Sequence, residues 1–89
     1  MLSVQQSHHF KRDIKKASKQ NKNLKELQSV IELLMQKKAL PAQYQDHRLV
    51  GDYHGYRECH LKPDWLLIYQ VDHQCLELAR LGSHSELFG

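Results

Sequence analysis

The sequence predicts an α+β domain in which a helical hairpin packs on a small antiparallel sheet. Two observations predict this class. Apolar residues recur at helical spacing through residues 7–38, whereas they alternate at every second position after residue 56, as in a strand. Between the two regions, residues 41–55 contain Pro41, Gly51 and Gly55, which is typical of a loop. The predicted order is β-α-α-β-β-β, and we expect the whole chain, residues 1–89, to form one domain.

The first half of the chain predicts an edge strand followed by two helices. Residues 2–6 alternate in hydropathy, and Ser7 is a candidate N-cap for the first helix. Asn23, with Glu26 three residues later, predicts a capping box at the start of the second helix. Polar residues 20–22 separate the two apolar stripes. The first stripe is Phe10, Ile14 and Ala17, and the second is Leu24, Leu27, Ile31, Leu34 and Met35.

The second half predicts three strands, at residues 56–61, 65–71 and 75–81. The middle one, WLLIYQV, is rich in the aromatic and β-branched residues that strands favour. The segments KPD and DHQ separate the three strands as turns. Gly82 ends the last strand, and residues 83–88 are long enough for one closing helical turn.

Composition excludes several classes of protein. The formal net charge of +3 and the pI near 9.0 point weakly to a polyanionic partner. No apolar run reaches the roughly 20 residues that a membrane span needs, and the N-terminus has no signal peptide, so we expect no membrane association. Cys59 and Cys75 lie in predicted strands, which favours a reducing cytoplasm over a disulfide framework. The sequence has no CxxC, HExxH, GxSxG or glycine-rich phosphate loop.

Seven histidines are the main chemical signal of the chain. Cleavage of RNA by its own 2′-hydroxyl needs a base, an acid for the leaving oxygen, and cations for the phosphorane. Imidazoles and a guanidinium supply all three without a metal or another cofactor. Strand parity places His60 on the face of Glu58, so parity alone does not join it to Arg80. Arg80 has the parity of Leu76 and Leu78, which leaves it either at the edge of the core face or reaching around the end of the sheet. The candidate residues are His47, His54, His60, Asp64, Arg80 and His84.

Two segments of the chain match a known pattern. They are YQDHRLVGDYHGYRECHLKPDWLLIYQV, from residue 44, and LARLGSHSELFG, which closes the chain. Together they closely resemble the YafQ-like branch of the RelE/ParE toxin superfamily, which combines DH-x-L, GYR-[DE]-x-H, PDW-[IL]-L-I-Y and a final R-x-G-[ST]-H-x-x-LF. The helical half agrees in length and basicity but is less diagnostic.

This resemblance implies a RelE-like fold and an endoribonuclease toxin of a type II toxin–antitoxin system. Such a toxin cleaves mRNA, commonly on the ribosome, and inhibits translation. Its partners would be mRNA, the ribosome and a cognate acidic antitoxin.

The resemblance also implies roles for individual residues. His84 would be the general acid, either Asp64 or His60 would be the base, and His47 would orient substrate or bind phosphate. Arg80 would stabilise the phosphorane. Phe88, Trp65 and, more weakly, Arg57 would contact RNA, Glu58 would support the site, and His54 has no assigned role.

Two other functions are compatible with these sequence features. A ParE-like toxin shares the fold but inhibits gyrase without catalysis, so it does not need the His/Asp set. A plain RNA-binding module would bind a transcript without shortening it. Replacement of His84 by alanine distinguishes the first alternative, and a gel of incubated RNA distinguishes the second.

Overall fold

A computed structural model describes all residues, 1–89. Every predicted helix and strand is present with its bounds shifted by a few residues at most, and the α+β class is confirmed. One additional strand, β2, consists of only two residues. The elements are β1 (Ser3–Gln6), α1 (His8–Lys19), α2 (Lys25–Met35), β2 (His47–Arg48), β3 (Arg57–Lys62), β4 (Trp65–Val71), β5 (Cys75–Gly82) and α3 (His84–Phe88). Two 3-10 turns, Ala42–Tyr44 and Gly51–Tyr53, flank β2.

The predicted N-terminal cap is present in α1 but not in α2. Ser7 is the N-cap of α1, and its hydroxyl accepts from the backbone N–H of Phe10 at 3.0 Å. The predicted capping box of α2 is wrong, because α2 has Leu24 at its N-cap position and no side-chain cap. Asn23 instead accepts from the N–H of Lys25 at 2.9 Å, an Asx turn that precedes the helix.

The five strands form one sheet in the order β1-β5-β4-β3-β2. Three of the four strand pairs are antiparallel, but β1 runs parallel to β5. The predicted antiparallel sheet is therefore confirmed, with one parallel pair at the β1 edge that the sequence did not predict. Parallel neighbours need a long crossover, and here the whole chain between Gln6 and Cys75 provides it.

The sheet is covered on both faces at β4, which explains the continuous apolar stretch in that strand. Trp65, Leu67 and Tyr69 belong to the main core beneath α1 and α2. Leu66 and Ile68 point to the other face, where they pack with Leu87 of α3 in a smaller cluster. All five β4 side chains are at most 4% exposed. None of the helices combines the length and the hydropathy that a membrane-spanning segment requires.

A β-bulge in β5 changes the predicted direction of Arg80. Ile68 pairs with Arg80 but the next residue, Tyr69, pairs with Leu78, so Ala79 is an extra residue in β5. The extra residue reverses the alternation, and Leu81 becomes the next core residue. The bulge therefore breaks the parity that Arg80 shares with Leu76 and Leu78, and Arg80 pairs with Ile68 on the other face.

Candidate active site

Three of the predicted histidines and Phe88 form a row of rings on the face of the sheet that carries α3. The ring centroids of His47 and His60 are 6.2 Å apart, and those of His60 and His84 are 5.7 Å apart. Phe88 follows at 6.5 Å from His84. Strands β2 and β3 and helix α3 each contribute to this row, so side chains from distant parts of the sequence meet at one surface.

Glu58 lies between the first two rings and is the buried anion of the site, with 4% exposure. Its Oε1 is 3.2 Å from Nε2 of His60 and 3.5 Å from Nε2 of His47. Nδ1 of His47 is 2.8 Å from the carbonyl oxygen of Gln45. Both nitrogens of His47 thus face oxygen atoms, one from the backbone of Gln45 and one from Glu58. Sequence reasoning gave Glu58 a supporting role, whereas the structure puts it at the centre of this end of the row.

Asp64 lies at the other end of the row and holds His84. One carboxylate oxygen is 2.6 Å from Nδ1 of His84 and 2.9 Å from its backbone nitrogen. The backbone hydrogen bond, followed by the side-chain hydrogen bond, lowers the pKa of Asp64 below its usual value. When Asp64 accepts from the Nδ1–H, the Nε2 of His84 is free to exchange a proton with a substrate.

Helix α3 is fixed by its own capping box and by a contact with α1. The Ser83 hydroxyl accepts from the N–H of Glu86 at 3.2 Å, and Glu86 accepts from the N–H of Ser83 at 2.8 Å. Lys16 of α1 forms an ion pair with Glu86, and this contact is the main cause that lowers the pKa of Glu86 to about 2. A Cβ on Gly82 would lie 3.0 Å from the Glu86 carboxylate oxygen and 3.3 Å from Leu87, so a larger residue there would press on α3.

The two predicted phosphate-binding arginines are both paired with aspartates of the protein. Nε of Arg80 donates to Asp13 of α1 at 2.9 Å, and the same carboxylate oxygen accepts from the N–H of Leu81. Nη2 of Arg57 donates to Asp46 at 3.0 Å. These hydrogen bonds are the main cause that raises the pKa of each arginine. Arg57 points to the helix-covered face, so the structure does not bring it to the row of rings.

Phe88 and Trp65, the two predicted aromatic contacts, lie in different environments. Phe88 is 48% exposed and meets Tyr53 edge-on at 5.8 Å, which leaves part of its ring open to solvent. Trp65 is 4% exposed and belongs to the main core on the opposite face of the sheet. The structure therefore brings Phe88, but not Trp65, to the row. Sequence reasoning missed Tyr53, which lies in a loop without a periodic pattern.

The end of the row near Glu58 also has the donor set of a metal site. One ligand atom each from His47, Glu58 and His60 lies within 4.8 Å of the other two. Two imidazoles and a carboxylate are a common three-ligand set for zinc and related divalent ions. His54, which has no assigned role, does not belong to this set.

Comparisons with known proteins agree with this geometry. Residues 2–89 match the family model described as "Bacterial toxin of type II toxin-antitoxin system, YafQ". The mRNA interferase toxin YafQ of Escherichia coli (strain K12) is 39% identical over 87 residues, which are 97% of this chain and 95% of the relative.

Two solved structures extend the comparison. The E. coli DinJ-YafQ toxin–antitoxin complex contains a chain that is 38% identical, with a TM-score of 0.91 over 99% of this chain and 98% of that one. A metal-bound toxin from Helicobacter pylori is 47% identical, with a TM-score of 0.93 over 99% of this chain and 100% of that one. The site geometry, the family model and these relatives agree, and the chain belongs to the YafQ family of bacterial type II toxin–antitoxin toxins.

Proposed function

We propose that this toxin is an mRNA interferase, an endoribonuclease that cleaves mRNA and so inhibits translation. The name of the E. coli relative supports this activity. The observation that carries the proposal is a pair of carboxylate–imidazole dyads. Asp64 is hydrogen-bonded to His84, Glu58 lies 3.2 Å from Nε2 of His60, and the two imidazole centroids are 5.7 Å apart. Two groups that each reach one hydrogen bond, about 2.6–3.2 Å, can flank one phosphate from this separation.

His84 acts as the general acid in this mechanism. Its Nδ1–H is donated to Asp64, so the proton for the leaving 5′ oxygen comes from Nε2. The Asp64 carboxylate stabilises the imidazolium before the transfer, much as the aspartate of a catalytic triad does. Asp64 has a lowered pKa and accepts two hydrogen bonds from His84, so it is a poor base toward a 2′-hydroxyl.

His60 acts as the general base. Its Nε2 faces Glu58 at 3.2 Å, and in the tautomer that carries the proton on Nε2 its Nδ1 has the lone pair that accepts the 2′-hydroxyl proton. The 2′ oxygen then attacks phosphorus, the bond from phosphorus to the 5′ oxygen breaks, and a 2′,3′-cyclic phosphate remains. His47, hydrogen-bonded to Gln45 and adjacent to Glu58, contacts the phosphate oxygens as charge builds up.

Phe88 and Arg80 complete the site in this proposal. The exposed ring of Phe88 offers a surface on which a base of single-stranded RNA stacks. Arg80 keeps a high pKa through Asp13 and contributes positive potential near Tyr53, which touches Phe88. Trp65 and Arg57 support this surface from the other face of the sheet rather than by contact with RNA.

Purified wild-type toxin, with ribosomes and a defined transcript, tests the mechanism. His84→Ala and His60→Ala should each reduce the cleavage rate by roughly 10²–10⁴-fold. His73→Ala is the matched control, because His73 is exposed in the β4–β5 turn, and it should cleave at the wild-type rate. Full cleavage by His84→Ala would refute the acid–base mechanism. Growth arrest by His84→Ala without RNA cleavage would favour a ParE-like inhibitor of gyrase.

We also propose an acidic antitoxin as the stable partner and the ribosome as the place of action. The E. coli relative is known in complex with DinJ, and the net charge of +3 here favours an acidic protein. Lys11, Lys15 and Lys19 of α1 are exposed, which suits contact with ribosomal RNA phosphates. Neutralising all three should weaken ribosome binding and reduce its salt dependence, with cleavage chemistry unchanged once the toxin is bound.

Occupation of the His47, Glu58 and His60 set by a divalent metal is the second candidate, favoured by the donor geometry. A cation bound there would supply Lewis-acid chemistry at the phosphate. It would also occupy nitrogens that His47 and His60 use for protons. Dialysis against EDTA distinguishes the two candidates: full cleavage afterwards supports the metal-free mechanism, and loss of cleavage that zinc restores supports the metal.

A further inference from the structure

A cleft of about 380 Å³ opens at the edge of the row of rings, and His60 forms part of its wall. Its walls are formed by the 3-10 turn before β2, the end of β3 and the start of α2. The lining side chains that matter here are Glu26, Gln43, Tyr44, Gln45, His60 and Lys62. The volume falls within the range of about 300–1,000 Å³ that is typical of small-ligand sites.

The local fold explains why the cleft exists. The β2–β3 ladder ends at the pair His47–Glu58. The 3-10 turn Ala42–Tyr44 precedes this pair in the chain. Gln45, which follows the turn, adopts a left-handed conformation with φ of 49°. The segment that contains the 3-10 turn therefore does not pair with β3. The last residues of β3, from His60 onward, are left as one wall of an open space.

The chemistry of the lining favours a neutral, hydrogen-bonding ligand. Nζ of Lys62 is 3.9 Å from Glu26, so the carboxylate balances part of the positive charge of this lysine. Two glutamine amides supply donors and acceptors together. Buried Tyr44 gives the cleft an aromatic component. A nucleobase combines a planar ring with donor and acceptor edges, and it fits this lining better than an anion does.

Gln43 is the side chain best suited to read such a base. It is exposed and makes no hydrogen bond within the protein, so its amide is available. Gln45 contacts His47 only through its backbone carbonyl oxygen, and Gln43 lies two residues further from that contact. We propose that this cleft receives the base adjacent to the cleaved linkage and that Gln43 determines part of the sequence preference. This inference rests on the proposed RNase activity, because His60 would act at the neighbouring phosphate.

Sequencing of cleavage ends tests the inference. Wild-type, Gln43→Ala and Gln43→Glu toxins are each incubated with ribosomes programmed with a mixed pool of transcripts. Gln43→Glu keeps the length of the side chain but removes the amide donor. Gln74→Ala is the matched control, since Gln74 is exposed in the β4–β5 turn at the far end of β4.

The expected result is a changed base preference at one position next to the cut for both Gln43 variants. Cleavage at preferred sites should fall by roughly 5–150-fold, the discrimination of one good base contact, whereas cleavage at poor sites stays near the wild-type rate. The Gln74→Ala profile should equal that of the wild type. An unchanged profile, or an equal loss at all sites, would overturn the inference while the RNase activity stands. An inert wild-type toxin would overturn both.

Discussion

Replacing Asp46 by alanine should destabilise the fold and displace His47. The Asp46 carboxylate accepts hydrogen bonds from the Arg57 guanidinium, at 3.0 Å from Nη2 and 3.3 Å from Nε, and from the Tyr69 hydroxyl. Burial and this hydrogen bond raise the pKa of Tyr69 above its usual value. Asp46 thus ties the segment before β2 to β3 and β4, and His47 is the next residue in the chain.

The structure sets the expected magnitude. Asp46→Ala leaves the hydroxyl of Tyr69, a residue only 1% exposed, without its partner, which costs about 1–3 kcal/mol. Breaking a fully buried ion pair costs about 3–5 kcal/mol. The side chains of Arg57 and Asp46 are 35% and 23% exposed, so water replaces part of this interaction. We expect the free energy of unfolding to fall by about 2–4 kcal/mol in total.

Urea denaturation at neutral pH measures this change. Tyr69→Phe is the matched variant, because it removes only the hydroxyl, and it should cost about 1 kcal/mol. Cleavage by Asp46→Ala should also fall under conditions where the variant is folded, since His47 loses its position beside Glu58. A free energy of unfolding within about 0.5 kcal/mol of the wild type, the range of an ordinary surface change, would refute the reasoning.

Three further predictions concern α3 and the two ends of the row. Asp64→Ala should reduce the cleavage rate by roughly 10–100-fold, a smaller loss than in a buried triad because Asp64 is exposed. Asp64→Asn should retain more activity than Asp64→Ala, because its amide oxygen still accepts from His84. Equal cleavage rates for the two variants in a single-turnover assay would contradict this. The pKa of Glu86 is lowered to about 2 from its usual 4.5. Its contribution to the free energy of unfolding is therefore fully present above pH 4.5 and is lost as the pH falls towards 2. Glu86→Gln should therefore cost roughly 0.5–1 kcal/mol at pH 7 after solvent screening, and almost nothing near pH 2, in denaturation curves recorded at both pH values. Calorimetric titration with Ni²⁺ should show binding that His47→Ala weakens at least about tenfold, because one of three donors is lost.

Most of the fold could be predicted because the spacing of apolar residues differs between the main helices and strands. The stripe Leu27, Ile31, Leu34 indicates a helix, and WLLIYQV indicates a buried strand. Strand β2 could not be predicted, since two residues carry no periodic signal and their pairing depends on β3. The parallel pairing of β1 with β5 was equally out of reach, because it joins residues at opposite ends of the chain.

The histidines of the site could be predicted from the motif, but their partners could not. His47, His60 and His84 come together as expected, whereas the roles of Asp64 and Glu58 depend on which nitrogen each carboxylate meets. Sequence leaves Asp64 and His60 as equal candidates for the base. The proposal of His60 rests on the two hydrogen bonds that Asp64 already accepts from His84, and these exist only because α3 folds back over the start of β4.

Arg80 shows how one irregularity can redirect a functional side chain. In a regular strand Arg80 would point with Leu78 into the core beneath the helices, where burying a guanidinium is costly. The bulge at Ala79 instead turns Leu81 inward and lets Arg80 pair with Asp13 at the edge of the sheet. Alanine is not a residue that marks a bulge in sequence, so no local signal announces this change. The same carboxylate oxygen of Asp13 accepts from the N–H of Leu81, and it thereby binds both the arginine and the distorted backbone that presents it.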